Sequence, residues 1–229
     1  APDLTAQPLL ALSWAPNDDG SVWTFKLRPG VKFHDGRVMN AGDVVATFDR
    51  LTDPEVGSNA LSAFTGVLSK GGTRKVDDLT VEFHLDAPNG SFPFTVSTDN
   101  YNAVILPADY AGDFEAKMNG TGPFKMVSYA AKQGASFERN PDYWGGAPLL
   151  DRVEFSFYDD YQPQILALLG NEIDVVQYIP VLQAAAVMSN PDITVINTPS
   201  SAHEQVHMRN DMAPFTDKRV RQAIALCLD

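Results

Sequence analysis

The sequence predicts an α/β chain of two lobes, a mixed β-rich lobe followed by part of an α/β lobe. Three observations predict it. Strand-like runs with alternating apolar residues crowd the first third of the chain, an N-capped amphipathic helix interrupts them, and beyond Tyr143-Trp144 short apolar runs alternate with short helical ones. The change of rhythm places a boundary near residues 125–135.

The first elements are a pair. "LLALSWAP" and "SVWTFKLRPG" flank Asn17-Asp18-Asp19-Gly20, a turn signal between two strands. In the second run Trp23, Phe25 and Leu27 alternate with Val22, Thr24, Lys26 and Arg28, so one face is buried. "NAGDVVATFDRLTDP" then reads as a helix. Asn40 caps it, Asp43 sits near the positive end of its dipole, Val44, Val45, Phe48 and Leu51 make the inner stripe, and Pro54 ends it. "SNALSAFTGVL" reads as a second helix. "LTVEFHLDAP" is a strand with Val81, Phe83 and Leu85 on one side. "GTGPFKMVSYAAKQGASFERNPDYW" reads as a turn entering a hairpin that reverses at Gln133-Gly134. Strands are expected at "LDRVEFSFYDD", "IDVVQYIP" and "ITVINTP", with helices at "YQPQILALLGNE" and "PVLQAAAVMSNP", a βαβ rhythm that predicts a parallel sheet. The last helix, "DKRVRQAIALCLD", carries Val220, Ala223, Ile224 and Cys227 as its stripe behind an Asp217 cap. Reaching Asp229 without a stop signal, it suggests a piece of a longer protein, and Cys227 is expected to be buried and structural.

Composition narrows the function. The chain has 229 residues, is 44% hydrophobic and carries 29 acidic against 17 basic side chains, a net charge of -12. That balance excludes the basic footprint of a nucleic-acid binder. One cysteine rules out an intrachain disulfide. No run approaches the roughly 18 apolar residues of a membrane-spanning helix.

One motif points to chemistry. His203-Glu204-Gln205-Val206-His207 reads H-E-x-x-H, the zinc-peptidase pattern. It works on a helix, where histidines four apart stand roughly 6 Å from each other. On a strand their α-carbons lie roughly 13 Å apart and cannot share an ion. The rhythm predicts a strand here, with Val206 and Met208 alternating with Gln205, His207 and Arg209. The long metzincin form wants histidine where Ala213 stands, and no glutamate follows His207. The reading is therefore a polar strand face with no catalytic residue, no metal site and no cofactor. His34 and His84 are read as edge or surface residues of strand-like segments. Phosphate-loop, dinucleotide and nucleophile-elbow patterns are absent. Tyr101 and Asn102, on the loop "STDNYNAVILPADY", are candidates to line a ligand cleft.

Several blocks together resemble the family 5 extracellular solute-binding proteins, the dipeptide, oligopeptide and nickel receptors of ABC importers. "LALSWAPNDDGSVWTFKLRPGVKFHDGRVMNAGDVVATFDRL" is similar to the family's opening block. "KVDDLTVEFHL", "GTGPFKMVSY", "ERNPDYWGGAPLLDRVEF", "LLGNEIDVV" and "MRNDMAPFTDKRVRQAIALCLD" follow in family order. The resemblance implies a partial periplasmic-binding-protein-like type II fold. Residues 1–126 would correspond to family domain II and 127–229 to the middle part of domain I, with domain III absent and an apolar patch exposed where it would pack. It implies a periplasmic or extracellular location, and allows a membrane anchor in the full-length protein. It also implies a small solute, a peptide first, and an ABC-transporter membrane permease as partners. Under it His203 and Asn210 join Tyr101 and Asn102 as cleft residues, with His203–Met208 on a strand. Two alternatives stand beside this reading. One is a nickel or metal-chelate receptor of the same family; the other, from a different class, is the H-E-x-x-H peptidase.

Overall fold

A computed structural model describes residues 5–113, 115, 117–197 and 205–227. Its contacts divide the chain into one unit that runs to Ile193 and another that begins at Thr194.

The first unit opens with a four-stranded antiparallel sheet. Strands β1 (Ala11–Pro16), β2 (Val22–Leu27), β3 (Thr73–Asp77) and β4 (Thr80–His84) lie in the order β1-β2-β4-β3. The expected turn joins β1 to β2. Gly20 takes φ +73, a left-handed value that costs glycine little, and the Asn17 side chain accepts from the Val22 amide at 3.0 Å. Trp23, Phe25 and Leu27 are buried, as their alternation requires. They meet Val81 and Phe83 of β4 and the inner face of α1 (Ala41–Leu51). Asn40 and Asp43 close a full capping box on α1, and Val44, Phe48 and Leu51 are buried beneath it. Four phenylalanines form the centre of this core: Phe25, Phe48 and Phe92 surround Phe83 with ring centroids 4.9–5.2 Å away. The second expected helix contracts to α2 (Leu61–Phe64), since Gly66 at φ +75 leaves helical geometry. β3 and the short α3 (Phe92–Thr95) have no counterpart in the sequence reading. Only Thr73 of β3 is buried, so an edge strand of charged residues leaves no apolar alternation to read.

Beyond the strap Asn119–Pro123 the chain forms a second antiparallel sheet, β5 (Phe124–Ala130), β6 (Gly134–Arg139) and β7 (Arg152–Ser156), in sequence order. The "GTGPF" turn and the hairpin form as expected, but the chain reverses at Ala131-Lys132, with Lys132 at φ +62, and not at Gln133-Gly134, because Gly134 already pairs with Ala130 in β6. The proposed boundary at residue 126 lies within β5. Helices α4 (Tyr161–Leu169) and α5 (Val181–Met188) follow, the first capped by Asp160, and Ile165, Leu168 and Val187 make their shared core.

The parallel sheet is a correction. "IDVVQYIP" forms no strand, nor do the described residues of "ITVINTP", and every strand pair among the described residues is antiparallel. A parallel strand needs neighbours on its edges and cover on both faces. Here Ile173, Val176, Ile179 and Ile193 pack as loop residues onto the α4–α5 core, while Val175 and Ile196 are exposed. Large apolar side chains are exposed throughout this stretch, among them Leu149 at 97% and Leu182 at 93%.

In the second unit, α6 (Lys218–Ala225) begins at the expected cap, Asp217, whose carboxylate accepts from the Arg219 amide at 2.8 Å. Val220 and Ile224 are half-buried. Cys227 is exposed, contrary to expectation: α6 ends at Ala225, two residues before it, and Ala223 and Leu226 beside it are uncovered as well.

Candidate ligand-binding site

Tyr101 and Asn102 occupy the two central positions of a tight turn closed by the Ala103 amide donating to the Asn100 carbonyl at 2.9 Å. Tyr101 is 81% exposed, and Asn102 is half-buried. The loop behind them is fixed to α1. The buried Thr47 hydroxyl accepts from the Leu106 amide at 3.1 Å, and Asp43 accepts from the Ala108 amide at 2.9 Å. Before the turn, the Asn100 side chain donates to the Thr95 carbonyl at 3.1 Å. Beside it lies an open depression of about 330 Å³ lined by Ala63, Phe94, Thr95, Asp99 and Asn100. The sequence reading does not single out this depression. Its signal is Phe94, an exposed aromatic in "SFPFT" between the glycine and serine that punctuate the chain. A second depression, about 390 Å³, is lined by Tyr158, Asp159, Asp160, Tyr161 and Gln164.

Asn210 belongs to the second unit. It is exposed in a turn closed by the Met212 amide donating to the Arg209 carbonyl at 3.1 Å. Arg209 grips Asp211 through two of its nitrogens, which holds the Asp211 carboxyl below its ordinary range. His203 lies outside the described residues, as does Glu204. His207 is exposed, and Gln205–Arg209 is neither helix nor strand. The expected strand is thus not formed over its described part. The helical turn that H-E-x-x-H requires is missing from 205–207 as well. An isolated five-residue segment gains a ladder only from a partner strand, and Pro214 and the Arg209–Met212 turn follow too soon for a helix.

The other two histidines are less exposed than expected. His84 on β4 is half-buried with Nε2 3.0 Å from Glu82. His34 is half-buried in the turn after Phe33, against the strap that leads into β5.

Tyr101 offers an aromatic face and a phenol; Asn102 and Asn210 offer amides that both donate and accept. Groups of this kind orient a polar organic molecule through hydrogen bonds and stacking. Tyr101 and Asn102 stand together on a loop anchored to α1, while Asn210 belongs to the other unit.

The match to known proteins gives the family. Residues 5–229 match the family described as bacterial extracellular solute-binding proteins, family 5 middle, and the chain belongs to that family. It is 31% identical to di/tripeptide-binding protein 2 of Pseudomonas aeruginosa, over 97% of this chain and 46% of that protein. It is 29% identical to heme-binding protein A of Haemophilus influenzae, over 97% of this chain and 45% of that protein. Among solved structures, the dipeptide-binding protein of a Pseudoalteromonas species in complex with Met-Leu superposes with a TM-score of 0.77 at 26% identity, covering 96% of this chain and 48% of that one. The chain thus spans a little under half the length of these relatives, and its fold is a partial periplasmic-binding-protein fold.

Proposed function

We propose that this chain is part of a periplasmic receptor that captures a peptide or similar small solute and delivers it to the membrane permease of an ABC importer. The observation that carries the reading is the superposition on a dipeptide-bound protein over 96% of this chain. The similarity to a di/tripeptide-binding protein supports it. In this reading residues 1–126 form the β-rich lobe and residues 127–229 form part of the α/β lobe. Capture is a shift toward a closed arrangement of lobes, favoured because the solute contacts both walls only when they meet. The rest of the relatives' length would supply the opposite wall and cover the apolar side chains between Leu149 and Met188. No bond is made or broken. Tyr101, Asn102, His203 and Asn210 are the proposed solute contacts, the polar groups orienting the ligand and the tyrosine ring stacking on it.

The similarity to a heme-binding protein favours a second reading, a nickel or metal-chelate receptor of the same family, with the histidines His203 and His207 touching the chelate from one side. The peptidase is not proposed, because the described part of its motif, residues 205–207, is not helical.

Replacing Tyr101 with alanine tests the site. The side chain is 81% exposed, so the unfolding midpoint stays within the small range of surface substitutions. Solute affinity, measured by equilibrium titration of the longest natural chain that contains this sequence, falls about tenfold, the loss of about 1.4 kcal/mol. Unchanged affinity would remove Tyr101 from the cleft.

A further inference from the structure

One imidazole contributes two of the contacts that tie down the strap between the two sheets. His34 stands in a tight turn held by the Phe33 amide donating to the Arg37 carbonyl at 2.8 Å. Its backbone amide donates to the Gly120 carbonyl at 2.9 Å. Its ring bridges the same loop: Nδ1 lies 3.4 Å from the Gly120 amide and Nε2 lies 3.1 Å from the Gly122 carbonyl. An amide N–H only donates and a carbonyl only accepts, so Nδ1 must accept and Nε2 must donate. Both contacts are satisfied by a neutral ring with its proton on Nε2 and by no other state. The Gly122 carbonyl also accepts from the Asn140 side chain at 3.0 Å, and the Asn140 amide donates to the Pro123 carbonyl at 2.8 Å. Asn140 is buried and directly follows β6. His34 and Asn140 therefore meet on a single oxygen, one from each side of the strap. Asp35 reinforces the same junction, its carboxylate accepting from the Asn119 side chain at 2.7 Å.

We propose that His34 is a pH-sensitive latch, closed when its ring is neutral and opened by protonation, that fixes the strap Asn119–Pro123 between the two sheets. A proton added at Nδ1 would face the Gly120 N–H, two donors with no acceptor between them, in a site where water is partly excluded. The charges facing the ring are Asp35 on its own turn, which favours the cation, and Lys125 on β5, which opposes it. Burial outweighs both the Asp35 charge and the Gly122 contact and lowers the His34 pKa from its ordinary value. The sign follows. In the unfolded or unlatched chain His34 gains its proton near pH 6.5, whereas in the latched state it does so only at lower pH. The latch is at full strength above about pH 6.5 and weakens as pH falls from there through the lowered value, by up to about tenfold in the closed-to-open ratio per pH unit. The latch stands whether or not the chain captures a solute.

Nitrogen-resolved NMR of the isotopically labelled 229-residue chain tests this directly. At pH 7.5 the His34 ring is expected as the Nε2–H tautomer, titrating below the same ring in the urea-unfolded chain. Exchange protection of the His34 and Gly120 amides, taken relative to the β2–β4 ladder, is expected to fall up to about tenfold per pH unit below about 6.5. His34→Gln keeps a donor for the Gly122 carbonyl but cannot titrate, and is expected to flatten that dependence. An Nδ1–H tautomer, relative protection that stays flat through the titration, or an equal slope in the glutamine variant would each overturn the proposal. If the variant does not fold, tautomer and slope in the unaltered chain decide alone.

Discussion

Replacing Phe83 with alanine is expected to lower the unfolding free energy of the chain by about 3–5 kcal/mol, the range for deleting a fully buried aromatic ring. Phe83 is 2% exposed, on the strand that pairs with both β2 and β3. Its ring meets Phe25 and Phe48 edge-on at 5.2 and 4.9 Å and Phe92 at 5.1 Å. Removing it takes apolar surface out of the core, leaves a void that three neighbouring rings fill only partly, and dissolves three aromatic pairs at once. Urea titration read by tryptophan fluorescence measures the loss, since Trp23 lies in the same core. Phe94→Ala is the matching control. That side chain is 48% exposed and its removal should cost under about 1 kcal/mol. Equal effects at the two positions would mean that the core is not centred on β4.

The second large effect is expected at Asp43, which lies outside the apolar core proper. Its carboxylate is 1% exposed and accepts from three donors: the Asn40 amide at 2.9 Å, the Ala108 amide at 2.9 Å and Arg37 Nη1 at 2.9 Å. The first closes the capping box of α1, the second ties down the loop that carries Tyr101, and the third is an ion pair whose arginine is 38% exposed. Asp43→Ala deprives all three donors of their acceptor. Breaking a buried pair from one side costs about 3–5 kcal/mol. The arginine regains some hydration from its exposed side, so a loss of about 3 kcal/mol in the same urea titration is expected. Asp43→Asn keeps an acceptor and should cost less. Because the carboxylate is buried, raising salt should change the difference little. A loss below about 1 kcal/mol would show that the loop and the cap hold without it.

Much of this fold could be read from local pattern. The β1–β2 hairpin, α1 with its Asn40–Asp43 box and the β5–β6 hairpin are fixed by alternation, caps and turn residues within a few positions of each other. The parallel strands were misread for a physical reason. "IDVVQYIP" and "ITVINTP" have strand composition, but a strand exists only where a neighbour offers its backbone, and a short apolar run does not say whether that neighbour is present. Cys227 erred similarly, since a helical stripe predicts burial only if something covers it. For the candidate site, the exposure of Tyr101 followed from its loop, yet the anchors at Thr47 and Asp43 join residues about sixty positions apart and leave no local trace. His34 shows the same limit. Its segment marks it as a strand-edge histidine, while its role comes from glycine carbonyls and amides more than eighty residues away.

The central claim is that this chain belongs to a receptor that binds a peptide-like solute without altering it. The most direct measurement is calorimetric titration, with mass-spectrometric recovery of the ligand, using the longest natural chain that contains this sequence. The titrants are dipeptides, tripeptides, heme and a nickel–histidine chelate. Saturable one-to-one binding of a peptide at micromolar concentration or below, with the peptide recovered intact, is the predicted result. Hydrolysis of the peptide in step with stoichiometric zinc that His207→Ala abolishes, or no heat from any peptide alongside saturable binding of a chelate, would contradict it.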